Sequence, residues 1–331
     1  MWKGFLSLVK KDFQMLIAGK FLIVALGSLL LYTLFINFGY INFMQAKPYR
    51  VYLYDPTETQ TGYSERILHV HSSEELAQAL SADTNGVGID ASSGEPFVVF
   101  YAGSEKADNH RKDYALSLLR SGNRYAAEAV GKNTPEMKQR REITCEFLFI
   151  ELIAVGFLGI ASVLFKEKQM GVIRVHAILP LKKRLFILSK ITVFLLSDLF
   201  FAVLLTMLNI EVSGAFVILP AVLVQTALLS LIMALIGFAC AMLLRDFKQF
   251  SLAYLVIAIF AATPVFLTAN TSVKMPWVKY HPFYQLYMGL KSAYFGTSHI
   301  NVMYYIGAVL AIGILYFFVQ AAFHKEMGKE G

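Results

Sequence analysis

Six apolar runs of about 20 residues each govern what this chain can fold into, because a bilayer core about 30 Å thick is crossed by roughly 20 helical residues. They are Phe21 to Phe43, Thr144 to Phe165, a stretch following Lys190 to about Ile210, Ala215 to Leu244, Phe250 to Ala269 and Val302 to Phe323. Charged residues bracket them: Lys20, the Lys166-Glu167-Lys168 cluster, Lys190, the Arg245, Asp246 and Lys248 group, and Lys325. Pro220 and Pro264 predict a frayed first turn and a kink. With 56% hydrophobic and 16% charged residues, the chain falls below the ~25% charge of a soluble domain, so lipid is the expected solvent. That excludes a soluble enzyme and a disordered chain. Cys145 and Cys240 both sit in apolar stretches, so no disulfide framework or metal-ligand spacing is readable.

An even number of spans puts both termini on one side, and the cations of the short segments say which. Lys3, Lys10, Lys11, Lys20, Lys166, Lys168, Arg174, Lys182, Lys183, Arg184, Lys190, Arg245, Lys248, Lys325 and Lys329 fall on the terminal side, against Lys274, Lys279 and Lys291 in the last opposite loop. The expectation is a multi-pass protein of the plasma membrane with both termini cytoplasmic. The net charge of +7 is therefore read as membrane topology, and nucleic acid is not expected as a partner.

Before the first span, Trp2, Phe5, Leu6, Val9, Phe13, Leu16 and Ile17 recur at three- and four-residue spacing, with Lys3, Ser7, Lys10, Lys11 and Gln14 opposite, which predicts an amphipathic interfacial helix. Between the first two spans, strands are predicted at Arg50 to Tyr54, Gly86 to Asp90 and Phe97 to Tyr101. Helices are predicted at Ser72 to Leu80, with Ser72 and Glu75 at capping-box spacing, and at Ser104 to Arg120. The expected fold is an all-α polytopic membrane protein of six transmembrane helices with a small external α/β domain between the first and second. Its parts are an interfacial helix over 1–20, a first span over 21–43, the external domain over 44–143, five helices over 144–323 and a tail over 324–331.

The strongest local signal is the cytoplasmic segment over 166–190, KEKQMGVIRVHAILPLKKRLFILSK. It is basic, yet carries Met170, Val172, Ile173, Val175, Ile178 and Leu179, which a solvated loop does not need, and Gly171 and Pro180 bracket a short potential helix. Lipid headgroups or a docked partner would each account for it. On the other side, Trp277, Tyr280, Phe283, Tyr284, Tyr287, Tyr294 and Phe295 read first as an interfacial aromatic belt, with a re-entrant helix as the alternative.

This order of parts resembles the permeases of the ATP-binding-cassette type 2 exporter family. The residues carrying the resemblance are Glu167, Gly171, Pro180 and Lys190, the segment PWVKYHPFYQLYMGLKSAYFG with His281 where asparagine is commoner, and VYLYDP followed by SSEELAQAL. It implies a subunit that is not itself an enzyme and binds no cofactor, with ATP and Mg on a partner ATPase. It also implies a second permease copy or paralogue, export of a lipophilic or amphipathic substrate such as a drug, antibiotic, peptide or lipid, and a coupling helix over Gly171 to Pro180. Glu167, Gly171, Arg174, Pro180, Lys182 and Lys183 are then the expected ATPase-coupling residues. The absence of any G-x-x-x-x-G-K-[ST] string agrees.

Glu146, Glu151 and Asp198 lie inside predicted spans, where a carboxylate costs about 2.5–3.5 kcal/mol, so they are candidate pathway residues or inter-helix hydrogen-bond partners. Glu146 and Glu151, five residues apart, sit about 140° apart on a helix and do not form a catalytic pair. Neither H-E-x-x-H nor G-x-S-x-G occurs, and His69 and His71 without a third ligand are weak evidence for metal. A membrane sensor or assembly component without transport activity, and a secondary transporter, are the alternatives.

Overall fold

The structure, a computed structural model, describes residues 2–40, 49–56, 67–93, 96–103, 105–118, 126–132, 135–173, 175, 183–269, 276–296 and 302–328. The chain forms two compact units, one made of Met1–Leu34 and Glu142–Gly331, the other of Phe35–Arg141.

The first unit begins with α1 (Trp2–Ala18). Its inward stripe is Leu8, Asp12 and Leu16, four residues apart and all buried, whereas Leu6, Phe13 and Ile17 face outward. The buried face is therefore rotated from the one the apolar spacing suggests, and it contains a carboxylate. Lys20 takes a left-handed conformation, φ 59°, which turns the chain sharply into α2 (Phe21–Leu34). A π-helical stretch, Phe35–Tyr40, continues α2.

Next comes α5 (Pro135–Glu151), whose first turns lie in the other unit; α3 and α4 belong there. A π-helical turn over Leu152–Gly156 joins it to α6 (Phe157–Gln169). Then follow α7 (Lys183–Asn209), α8 (Val212–Leu243), α9 (Phe247–Ala269), α10 (Pro282–Phe295) and α11 (Val302–Met327). Six helical stretches are long and apolar enough to cross a membrane: 21–40, 136–169, 183–209, 214–243, 247–267 and 302–327. The α5–α6 rod and α8 are central, with 67% of their apolar windows buried. The first and last stretches bury only 11%, presenting Ile23, Leu31 and Phe317 outward as lipid-facing helices do.

Close approach in this bundle depends on missing side chains. A Cβ on Gly159 of α6 would lie 2.3 Å from the Phe21 ring, and one on Gly237 of α8 would lie 2.7 Å from Ile160. The aromatic segment before α11 is more than a belt. Trp277 and Tyr280 are exposed, but Phe283, Tyr287, Leu290 and Tyr294 of α10 are buried in the helical core, and Tyr294 shares a 2.8 Å hydrogen bond with Thr206 of α7. His281 caps α10, its Nδ1 accepting the Phe283 N–H at 3.2 Å. Asparagine at this position would do the same through its side-chain oxygen.

The second unit is a five-stranded sheet in the order β2-β1-β3-β4-β5, with β1 Val51–Tyr54, β2 Ile67–Val70, β3 Val87–Asp90, β4 Phe97–Ala102 and β5 Ala126–Lys132. β1 pairs in parallel with β2 and β3, β3 with β4 is antiparallel, and β4 with β5 is parallel. α3 (Ser73–Ala82) covers one face through Leu76 and Leu80, and α4 (Glu105–Leu118) covers the other through Ala115 and Leu118. The α3 cap works as its spacing predicts: Ser72 Oγ accepts the Glu75 N–H at 3.0 Å, and Glu75 accepts the His71 N–H at 2.7 Å. His69 lies in β2 and His71 beyond its end, so the two do not share a strand face.

Candidate functional site

Two constellations in the helical unit gather chemistry that its composition otherwise lacks. The first lies at the basic end, where α6 runs out. Lys190 enters α7 as an internal helical residue, because α7 starts at Lys183 rather than after Lys190. Its side chain is fully buried and its ammonium bonds Glu167 at 2.7 Å and Asp12 of α1. Ser189 Oγ donates to the other Asp12 oxygen at 2.7 Å, and Lys11 reaches Glu167 at 3.1 Å. The Phe186 ring lies 5.0 Å from the Lys190 nitrogen. Two carboxylates and two ammoniums thus balance, which is the condition for holding such charges out of water.

The neighbouring residue of Glu167 ties down the other half of the bundle. Lys168 donates to the Leu244 carbonyl at 2.9 Å, at the C-terminus of α8, and pairs with Glu326 of α11 at 2.9 Å. Consecutive residues of α6 therefore bond to α1 and α7 on one hand and to α8 and α11 on the other.

Gly171, at φ 72°, follows directly and ends the α6 direction in a conformation that L side chains avoid. Beyond it Ile173 is buried and Val175 exposed, and Met170 just before the glycine is exposed too. Lys183 is exposed at the start of α7. Arg174, Pro180 and Lys182 lie outside the described residues. Glu167 is fully buried, its carboxylate bonded within the chain to Lys190 and Lys11. The sequence signals the burial of Asp12 only through its position four residues from both Leu8 and Leu16.

The second constellation is a cavity of about 640 Å³ between α1, α2, the α5–α6 junction and α7. Its walls are almost wholly apolar, and its two carboxylates are Glu151 and Asp198. Glu151 accepts hydrogen bonds from Ser28 Oγ at 2.9 Å and Tyr32 OH at 3.1 Å, both on α2. Asp198 Oδ2 accepts from Ser230 of α8. Gly156 closes the π-helical turn directly beneath Asp198; a Cβ there would stand 3.2 Å from Oδ2. A π-turn next to a buried acid recurs at functional sites, because it re-aims side chains on an otherwise regular helix. Glu146 is not part of this group: it lies near Glu142 and Lys291, which pair with each other where α5 meets α10.

No family model, no curated protein and no solved structure matches this chain. What the fold defines is a multi-pass helical membrane protein carrying a small α/β unit.

Proposed function

We propose that this chain is the membrane-spanning permease subunit of an ATP-binding-cassette exporter, moving a lipophilic or amphipathic substrate with energy from a separate ATPase. The observation that carries the reading is the pair Glu167 and Lys168. At the head of the basic segment, two adjacent side chains bond four helices. A push on that segment therefore reaches α1, α7, α8 and α11 together, which is what a coupling element driven from outside requires. The exposed apolar residues Met170 and Val175 and the exposed Lys183 support a docked partner there. In this reading the basic end is cytoplasmic, and Gly171, Arg174, Pro180, Lys182 and Lys183 touch the ATPase. Glu167 transmits rather than touches. A second permease copy or a paralogue completes the pathway.

The test is affinity purification of the tagged chain from its native membrane, with identification of the subunits that come with it, followed by ATPase and export measurements. The expected outcome is a stoichiometric complex whose formation is lost on deleting 171–180. Recovery of the chain without any nucleotide-hydrolysing subunit, together with activity that survives the deletion, would refute the proposal.

A further inference from the structure

The cavity between α1, α2 and α7 presents a charge problem that the chain does not solve by itself. At about 640 Å³ it has the volume of a small-molecule site, and its walls are hydrocarbon apart from Glu151, Asp198, Ser197 and Lys10, which forms no ion pair with either acid. Glu151 is 4% exposed. Its two oxygens meet only neutral hydroxyls, those of Ser28 and Tyr32. Asp198 has Ser230 on one oxygen; among the described residues no hydrogen bond reaches Oδ1, which is not sealed from the cavity. No Lys, Arg or His among the described residues forms an ion pair with either carboxylate. The contrast with Asp12 and Glu167 is instructive, since the same bundle supplies both of those acids with Lys190.

We infer that this cavity binds an amphiphilic organic cation, a protonated or quaternary amine with an apolar body, its charge beside Asp198 and Glu151 and its body against Leu26, Phe200 and Leu204. Leu6 and Phe13 of α1 line the cavity, and α1 is bonded to α7 at Lys190, eight residues or about 12 Å before Asp198, so the apolar body of the ligand has the N-terminal helix as one wall. As the cargo of the exporter, this ligand rests on the permease reading; as a ligand of the purified chain, it does not.

Tetraphenylphosphonium and tetraphenylborate, alike in shape and opposite in charge, separate an acid-lined site from a greasy one. Equilibrium dialysis against the full chain in phosphatidylcholine nanodiscs, with empty nanodiscs as the blank, is expected to show saturable binding of the cation and none of the anion. Binding should weaken about ten-fold or more in Glu151→Gln with Asp198→Asn, which removes charge and keeps shape. Leu26→Trp, at a wall position 52% exposed, fills the cavity while leaving both acids intact, and is expected to abolish binding even where the carboxamide variant folds poorly. Borate binding as tight as phosphonium binding would assign the cavity to a lipid chain or to the Lys10 in its wall and overturn the inference. So would phosphonium affinity unchanged in both variants. An ATPase that fails to co-purify leaves this result standing, and a cavity that ignores phosphonium leaves the coupling result standing.

Discussion

Lys190 decides more than any other side chain in the helical unit. Removing one member of a buried pair leaves the others uncompensated at a cost of about 3–5 kcal/mol, whereas neutralising the whole group together is close to free. Lys190→Met is therefore expected to lower thermal stability in detergent by that amount, and adding Asp12→Asn and Glu167→Gln to recover most of the loss. His281 offers a pH-dependent counterpart outside the spans. Burial lowers its pKa from the ordinary 6.5, an effect the nearby Phe260 backbone partly opposes, and its buried Nε2 meets no hydrogen-bond partner among the described residues. A depressed folded value gives stability that is present above pH 6.5 and is lost as pH falls toward and through the lower folded value. Melting scans from pH 7.5 to pH 5 should show a loss that His281→Asn, which keeps the cap, largely removes.

Among elements, the α6 rod packs by omission. Gly159→Ala puts a methyl group 2.3 Å from the Phe21 ring and is expected to cost about 1–3 kcal/mol in unfolding midpoint experiments, with Phe21→Leu restoring part of it. Most elements can be read from the chain: the six long apolar helices, the N-terminal helix, the α3 cap and the strands at 51–54, 87–90 and 97–102 all follow from local periodicity and turn residues. β2 and β5 do not stand out in the sequence. ILHV is four residues long, and AAEAVGK alternates too weakly to stand out; each is a strand because a partner lies beside it. The site was less legible for the same reason. Glu167 and Lys190 stood out only as members of a pattern, while their contact, the part played by Asp12 and the convergence of Glu151 with Asp198 depend on helix packing that no local window contains.

For the molecule as a whole, orientation remains the property on which the proposed mechanism turns. Ser117→Cys, exposed on α4, should react with a membrane-impermeant maleimide in intact cells, and Lys183→Cys only after lysis; the reverse pattern would invert the topology. The native background is low, Cys145 being buried and Cys240 partly so. The two ion networks also impose a timetable on biogenesis. A ribosome delivers Asp12 178 residues before Lys190 and Glu167 only 23 residues before it, so a nascent chain halted after its second span carries two acids with only Lys11 to share. Lys168 waits longer still, for the α8 carbonyl at 244 and then for Glu326 of α11. Each stage of insertion is thus marked by unmatched charge until the next helix arrives, and a truncated chain exposes its incompleteness to whatever machinery surveys the membrane.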